Sequence, residues 1–321
     1  EAQRNGSNVV LKHSLIRLQG KGELDDLSLV IPVAAPKYEM GDTNGRTLDV
    51  PSLVSGDTFG IVQDSEAGHW LGDVNRQRSK KWVQGTGDWW MSVNTNSIMI
   101  TASMKYFHER YPKSLKGTPH AFIVGLLPSD SENKDSFVPA SQTLTNYELR
   151  EGEARTHEIY LDFSASDIDS PSRTQKVAAF HRPLLALASP EWYTGSGVLG
   201  DLIPRNDKYA AYEEAVDLSL ARFLQRRTEL RLYGDRNYGD DEYGKPGTWN
   251  NGEYDYLHVG MLHFLRGAGR SWYDDVVVPY ALHFIDIDLC SCGKGEGRIH
   301  QHAEWHNSEN PKLGSHAWIR G

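Results

Sequence analysis

The apolar positions of this chain follow two different periods. Up to about residue 163 they come in short runs bounded by Gly, Asp and Pro, as strands do. Asn8-Val9-Val10-Leu11, Leu27 to Val33, Thr58 to Val62, Trp89 to Val93, Ser97 to Ala102 and His120 to Pro128 are such runs. Glu148 to Ala154 reads as a turn into a last strand, Arg155 to Phe163. In that strand Thr156, Glu158, Tyr160 and Asp162 alternate with His157, Ile159, Leu161 and Phe163, which predicts one wet face and one dry face. Strands this frequent, with no helix between them, predict an antiparallel β-sandwich over residues 1–165.

The period changes after Ser164 to Ser172, a Ser- and Asp-rich stretch that reads as a linker opening a crossing segment over 166–205. From Asp207 to Arg227 the residues Tyr209, Tyr212, Val216, Leu220 and Phe223 recur at helical spacing, with Asn206 as N-cap. Tyr233 to Gly247 is rich in Gly and Asp and reads as a solvated loop; its carboxylates match no EF-hand spacing. A second helix is expected from Gly252 to Arg266, striped by Tyr254, Leu257, Met261 and Phe264 and stopped by Gly267. A third should run from Ser271, capped by its hydroxyl with Asp274 completing the capping box, to Asp288. Pro279 should kink it. Helices in series with alternating loop lengths suggest stacked α-hairpins, the units of an (α/α) toroid, so 206–321 is expected to be a partial toroid carrying the chemistry.

Composition narrows the classes. At 321 residues the chain is long enough for two domains, and 39% apolar with 24% charged residues is an ordinary globular balance. No run reaches the ~18 apolar residues that span a bilayer, so no membrane partner is expected. A net charge of −9 without a basic stripe argues against nucleic acid. Arg76, Arg78, Lys80 and Lys81 read as a solvated loop. Cys290 and Cys292, one residue apart, do not form a disulfide framework. Nine Trp and fifteen Tyr are plentiful, and sugar clefts stack pyranose rings on aromatic faces, although core packing accounts for most of them. Asn5-Gly6-Ser7 is a lone glycosylation sequon.

The polar and aromatic groups crowd two segments, Trp249-Asn250-Asn251-Gly252-Glu253-Tyr254-Asp255-Tyr256 and Arg298-Ile299-His300-Gln301-His302-Ala303-Glu304-Trp305-His306-Asn307. These segments, with Gly152 to Glu158, Pro190-Glu191-Trp192-Tyr193 and His283 to Asp288, resemble the exo-rhamnogalacturonan lyase-like polysaccharide lyases, a family to which some ulvan lyases are also similar. The match spans roughly Glu151 to Asn307. The resemblance implies a β-barrel, a central β-sandwich and a toroid, of which this chain holds the sandwich and the first toroid helices, as an internal fragment. It implies secretion or a periplasmic location, although no signal peptide is visible. It also implies β-elimination on a uronate-containing polysaccharide of the rhamnogalacturonan or ulvan kind, without an organic cofactor.

That reaction needs a group that neutralises the uronate carboxylate, a base near C5 and an acid at the leaving oxygen. Arg298, His302 and His306 are spaced by four and share a helix face; on a strand Arg298, His300 and His302 would share one. The assignment is His302 or His306 as base, Tyr254 as acid, and Arg298 with Asn250 as neutralisers. Asp255 would orient an imidazole, and Trp249, Asn251 and Trp305 would line the substrate. Against this, His258, His263 and His283 read as packed or surface histidines, Asp286 and Asp288 as braces of a helix end, Tyr254 equally as core, and His157 as a satisfied core histidine. Cys290, Cys292, His300, His302 and His306 could compose a zinc sphere, but their spacing matches no standard motif, so no metal is assigned. The rival functions are a glycoside hydrolase on the same scaffold, using Glu253 with Asp255 or Glu304 as opposed carboxylates, and a non-catalytic carbohydrate-binding or structural module.

Overall fold

A computed structural model describes residues 2–5, 7–19, 22–73, 81–84, 87–95, 97–131, 146–149, 151–241, 255–293 and 296–299. The chain folds as two compact units. One comprises Glu1–Leu184 with Tyr233–Arg236, the other Leu185–Leu232 with Asn237–Gly321.

The first unit is an antiparallel β-sandwich. One sheet runs in the order β1 (Ala2–Asn5), β2 (Asn8–Ile16), β15 (Ala154–Ser164), β11 (Met99–Met104), β10 (Trp89–Asn94), β5 (Lys37–Asp42), β6 (Thr47–Asp49). The facing sheet runs β4 (Leu27–Pro32), β13 (Ala121–Leu127), β12 (Lys113–Gly117), β7 (Phe59–Gln63), β8 (Gly68–Asp73), β9 (Lys81–Gln84). A small ladder pairs β3 (Gly22–Leu24) with β14 (Tyr147–Leu149). Alternation puts Trp89, Met91 and Val93 of β10, Ile100, Ala102 and Met104 of β11, and Ile159 and Leu161 of β15 into one core with Ile61, Leu115, Phe122, Val124 and Leu126 of the other sheet. The runs expected to be strands fall on β2, β4, β7, β10, β11, β13 and β15.

The face of β15 expected to be wet is wet over only half its length: Thr156 and Glu158 are partly exposed, while Tyr160 and Asp162 are covered, at 4% and 1% exposure. The cover is α1 (Ser170–His181), which begins inside the stretch read as a linker. Asp169 caps α1 by accepting the Ser172 N–H at 3.0 Å, and a proline stands at the start, where its missing N–H costs nothing. Val177 packs on Trp90 and Tyr160, with Val10 and Phe180 against them. Polar anchors fix the helix at both ends: Arg173 on Glu39, Lys176 on Asp162 at 2.9 Å, and His181 Nδ1 on Asp88 at 3.1 Å. Asp162 of the strand's second face is a helix anchor, which pattern alone cannot separate from a solvated carboxylate.

The second unit is helical: α2 (Pro190–Gly195), a 3-10 turn (Asp207–Tyr209) running into α3 (Ala210–Glu229), α4 (Tyr256–Leu265), and one continuous helix from Trp272 to Asp288. Asn206 caps the 3-10 turn through its side chain, accepting the Lys208 N–H at 3.1 Å. Gly267 takes a φ of +93° just past α4, the left-handed stop its position implied. The last helix is irregular. It is π-helical over Trp272–Val277, α-helical over Val278–His283 as α5, and π-helical again over Phe284–Asp288. Pro279, the residue expected to kink the helix, therefore sits where a π-turn hands over to α. Ser271 makes no side-chain cap; Asp274 instead binds Arg270 Nε at 2.6 Å.

α4 and this helix form an antiparallel hairpin. Phe264 meets Tyr273 with ring centroids 5.0 Å apart, Gly260 lies against Val276 and Val277, and Tyr256 meets Tyr280 at 5.7 Å, so one helix descends as the other climbs. A Cβ at Gly260 would already stand 3.0 Å from Val277 Cγ2, which explains the glycine at the closest approach. Val216, Trp272 and Val276 centre the core, with Leu220, Phe223 and Phe264 around them. Glu213 and Arg266 form a buried ion pair at 2.6 Å. Among the described residues no helix is long and apolar enough to cross a membrane.

Candidate functional site

The segment read as a solvated loop is buried from Gly234 as far as it is described. Asp235, Arg236, Asn237, Tyr238, Asp240 and Asp241 are all 6% exposed or less. Its first part belongs to the sandwich unit. Arg236 donates to Glu153 Oε1 at 2.6 Å, Arg155 Nη2 stands 3.4 Å from Glu153 Oε2, and Arg155 Nε meets Asp235 Oδ2 at 2.8 Å. Arg110 adds donations to the Thr156 and Asp235 carbonyls at 3.1 and 3.4 Å. Charges this deep persist only when paired and hydrogen-bonded. Lys113 beneath them donates to the Arg110 carbonyl; burial and then the Arg110 charge push its amine down to about 7, against the pull of Asp235 and Glu109. His157 is buried as expected but not satisfied, because neither ring nitrogen finds a hydrogen-bond partner. Burial, then the charges of Lys113 and Arg110, hold it well below the usual histidine value, so the ring is neutral.

In the helical unit the second part of the segment builds a different arrangement. Gly239, at a φ of +104°, turns the chain tightly against the Pro279 carbonyl and delivers Asp240 to the helix. The His283 Nε2 atom lies 3.3 Å from Asp240 Oδ2 and 3.4 Å from Asp288 Oδ1. All three residues are 2% exposed or less. Burial alone would lower the His283 pKa, but the charges of Asp288 and Asp240 raise it to about 10, so the ring is an imidazolium between two carboxylates. The π-turn that follows His283 widens the helix and turns Asp286, Ile287 and Asp288 all inward, each 1% exposed or less. His283 was read as an ordinary packed histidine and Asp288 as a brace. Packed and bracing they are, but as members of one charged triad.

Two members of this triad precede the segments singled out in the sequence. Asp240 immediately precedes Asp241, the last described residue before 255, and Tyr256 donates to Asp241 Oδ2 at 3.1 Å from the far side. Arg226 Nε reaches the other oxygen of Asp241 at 3.3 Å. Asp288 leads directly into a small turn in which Leu289 bridges Ile299, and Cys290 N–H donates to the Arg298 carbonyl at 2.8 Å. One imidazolium thus fastens Asp240, nine residues before Trp249, to Asp288, ten residues before Arg298.

Of the residues assigned from the sequence, Trp249, Asn250, Asn251, Tyr254, His302, Trp305 and His306 lie outside the described residues. Arg298 is exposed on the turn. Asp255 is exposed at the N-cap of α4, with φ +48°, and accepts the His258 N–H at 3.3 Å, so its described role is capping rather than orienting an imidazole. Cys290 and Cys292 are free thiols, while His300, His302 and His306 of the considered zinc sphere are outside the described residues. Arg76, Arg78 and Lys80 are outside them too, and Lys81 enters only through the backbone of β9.

No family model matches the chain, and no curated protein matches it significantly. The functional reading therefore stands on these residues. Sequence reasoning missed Asp240 and His283 as partners because 43 residues separate them and neither lies in a motif. The available signal was Gly239 between Tyr238 and Asp240, a glycine ahead of a carboxylate in a stretch otherwise read as a loop.

Proposed function

We propose that the chain belongs to a polysaccharide lyase that cleaves a uronate-containing polysaccharide, of the rhamnogalacturonan or ulvan kind, by β-elimination. In this reading 206–321 is the opening part of an (α/α) toroid and the sandwich is its companion domain. The enzyme works outside the cytoplasm, where such polymers are met, and it uses no organic cofactor. The observation that carries the reading is the Asp240–His283–Asp288 triad. It ties Asp240, which precedes the first segment in the chain, to Asp288, which precedes the second, and the two segments together contain one arginine, six tyrosine and amide groups and three histidines.

In the reaction Arg298, exposed on its anchored turn, and Asn250 neutralise the uronate carboxylate and so acidify the neighbouring C5 proton. His302 or His306 takes that proton. The electron pair left on C5 forms the C4–C5 double bond, the C4–O bond breaks, and Tyr254 protonates the leaving oxygen. Trp249, Asn251 and Trp305 supply the walls on which sugar rings stack. The triad itself stays out of the chemistry: its carboxylates are committed to one imidazolium, which disfavours them as the opposed acid and base of a hydrolase.

The assignment is tested by variants of the full-length enzyme. H302A and H306A are each assayed for unsaturated product, and R298A for a fall in kcat/KM. If both histidine variants retain wild-type rates the assignment fails.

A further inference from the structure

A second cluster lies in the sandwich unit, independent of the lyase reading. Asp88 precedes β10, and His108 and Glu109 lie in the turn that leaves β11. Ligand atoms from the three side chains lie within 4.8 Å of one another. We propose that these residues form a binding site for a divalent first-row transition ion of the zinc or manganese kind, with the remaining coordination positions open to water.

Three observations carry this. First, His108 Nδ1 and Glu109 Oε2 approach to 3.2 Å, yet neither atom has a hydrogen-bond partner and both are shielded from solvent. Two acceptor-capable atoms that close, without hydrogen-bond geometry, are placed as ligands of one ion are. With metal–ligand bonds of about 2.1 Å, ligand atoms at this separation subtend roughly 100° at a shared ion, within the tetrahedral-to-octahedral range. Second, the backbones of two of the three ligands are tied to structure outside the cluster. The Asp88 carbonyl accepts the Thr43 N–H at 3.1 Å, and the Glu109 carbonyl accepts the Gly234 N–H at 2.7 Å. Third, Asp88 has an outer partner of the kind metal sites use. His181 Nδ1 contacts it at 3.1 Å while His181 Nε2 meets Ser103 Oγ at 2.9 Å.

Lys105 is the competing cation. Its amine donates to the Phe180 carbonyl at 3.2 Å. One imidazole with two carboxylates suits zinc or manganese better than calcium or magnesium, which prefer all-oxygen shells. The three residues are only partly buried, so solvent can fill the open positions.

The test uses the full chain stripped with chelator and titrated with Zn2+ and Mn2+, by calorimetry and, for Mn2+, by electron paramagnetic resonance. The expected result is one ion per chain, with affinity reduced by at least about tenfold in both H108Q and E109Q. A C290S/C292S variant should bind as wild type, which separates this site from one built on the thiols. Absence of binding by the stripped wild type overturns the proposal. So does unchanged affinity in H108Q and E109Q, or loss confined to the cysteine variant. If H108Q fails to fold, E109Q decides alone, through loss of the rise in melting temperature that the ion gives wild type.

Discussion

Replacing Glu153 with glutamine tests whether the buried ion lattice holds Tyr233–Arg236 in the sandwich unit. The substitution keeps the shape of the side chain, so it opens no cavity and isolates the charge. Arg236 sits 2.6 Å and Arg155 3.4 Å from the two carboxylate oxygens, and the side chains are 2–3% exposed. At an effective dielectric near 20 these pairs are worth about 6 and 5 kcal/mol of gross attraction. Most of that is offset, because the neutral amide of the variant also escapes the desolvation cost of a buried carboxylate. The net loss for breaking a buried pair from one side is about 3–5 kcal/mol, set by the guanidinium groups left behind. Against a usual domain stability of about 5–15 kcal/mol, that is roughly a fifth or more of the total. Urea unfolding followed by tryptophan fluorescence reads it directly, since Trp89 and Trp90 are 2% and 0% exposed in the same unit. The midpoint should fall with the slope unchanged. In a double-mutant cycle, R236M should cost less on the E153Q background than on wild type. A loss below about 1 kcal/mol, the range of surface pairs, would refute the reasoning.

Two further outcomes follow from the triad. His283 has its folded pKa raised from 6.5 to about 10, so its stabilising contribution is fully present below pH 6.5 and is lost as pH rises through 10. Thermal melts across that window should show a decline in the helical unit that H283Q abolishes; an identical decline in H283Q would contradict the assignment. Gly239→Ala should be among the most damaging small substitutions, because its Cβ would strike the Pro279 carbonyl and its backbone would need φ +104°. The left-handed strain alone is about 1–3 kcal/mol, and the clash adds to it. Hydrogen exchange should show the 278–288 helix opening in that variant, and unchanged protection there would count against the tight turn.

Much of the sandwich was legible because its central strands alternate strictly around a dry core, as Trp89, Met91 and Val93 do. The strands left unread have weaker patterns. β12 is Lys-Ser-Leu-Lys-Gly with a single aliphatic residue, yet all five are buried, because Lys116 is paired with Asp130 at 3.0 Å and Lys113 with a carbonyl. Buried polar residues also defeated the reading of α1's docking face and of the Asp-rich segment after Tyr233. Burial of Asp162, Asp235 and Asp240 depends on partners 14 to 80 residues away, which periodicity does not record. Capping was partly readable. Asn206 and Gly267 act where their types imply, whereas Ser271 does not, because a π-turn rather than an α-turn follows it. Of the residues assigned to the candidate site, Asp255 and Arg298 fall among the described ones, while the triad of Asp240, His283 and Asp288 emerged only from the fold.

The central claim is that this chain carries part of an eliminating enzyme, and product chemistry tests it most directly. Purified full-length protein is incubated with rhamnogalacturonan and, separately, with ulvan, and near-ultraviolet absorbance and product mass are followed. The account predicts rising absorbance from a C4–C5 double bond, with new ends lighter by one water than hydrolysis products. Chain cleavage with saturated, hydrated ends and no absorbance would contradict it, as would binding of both polymers without cleavage.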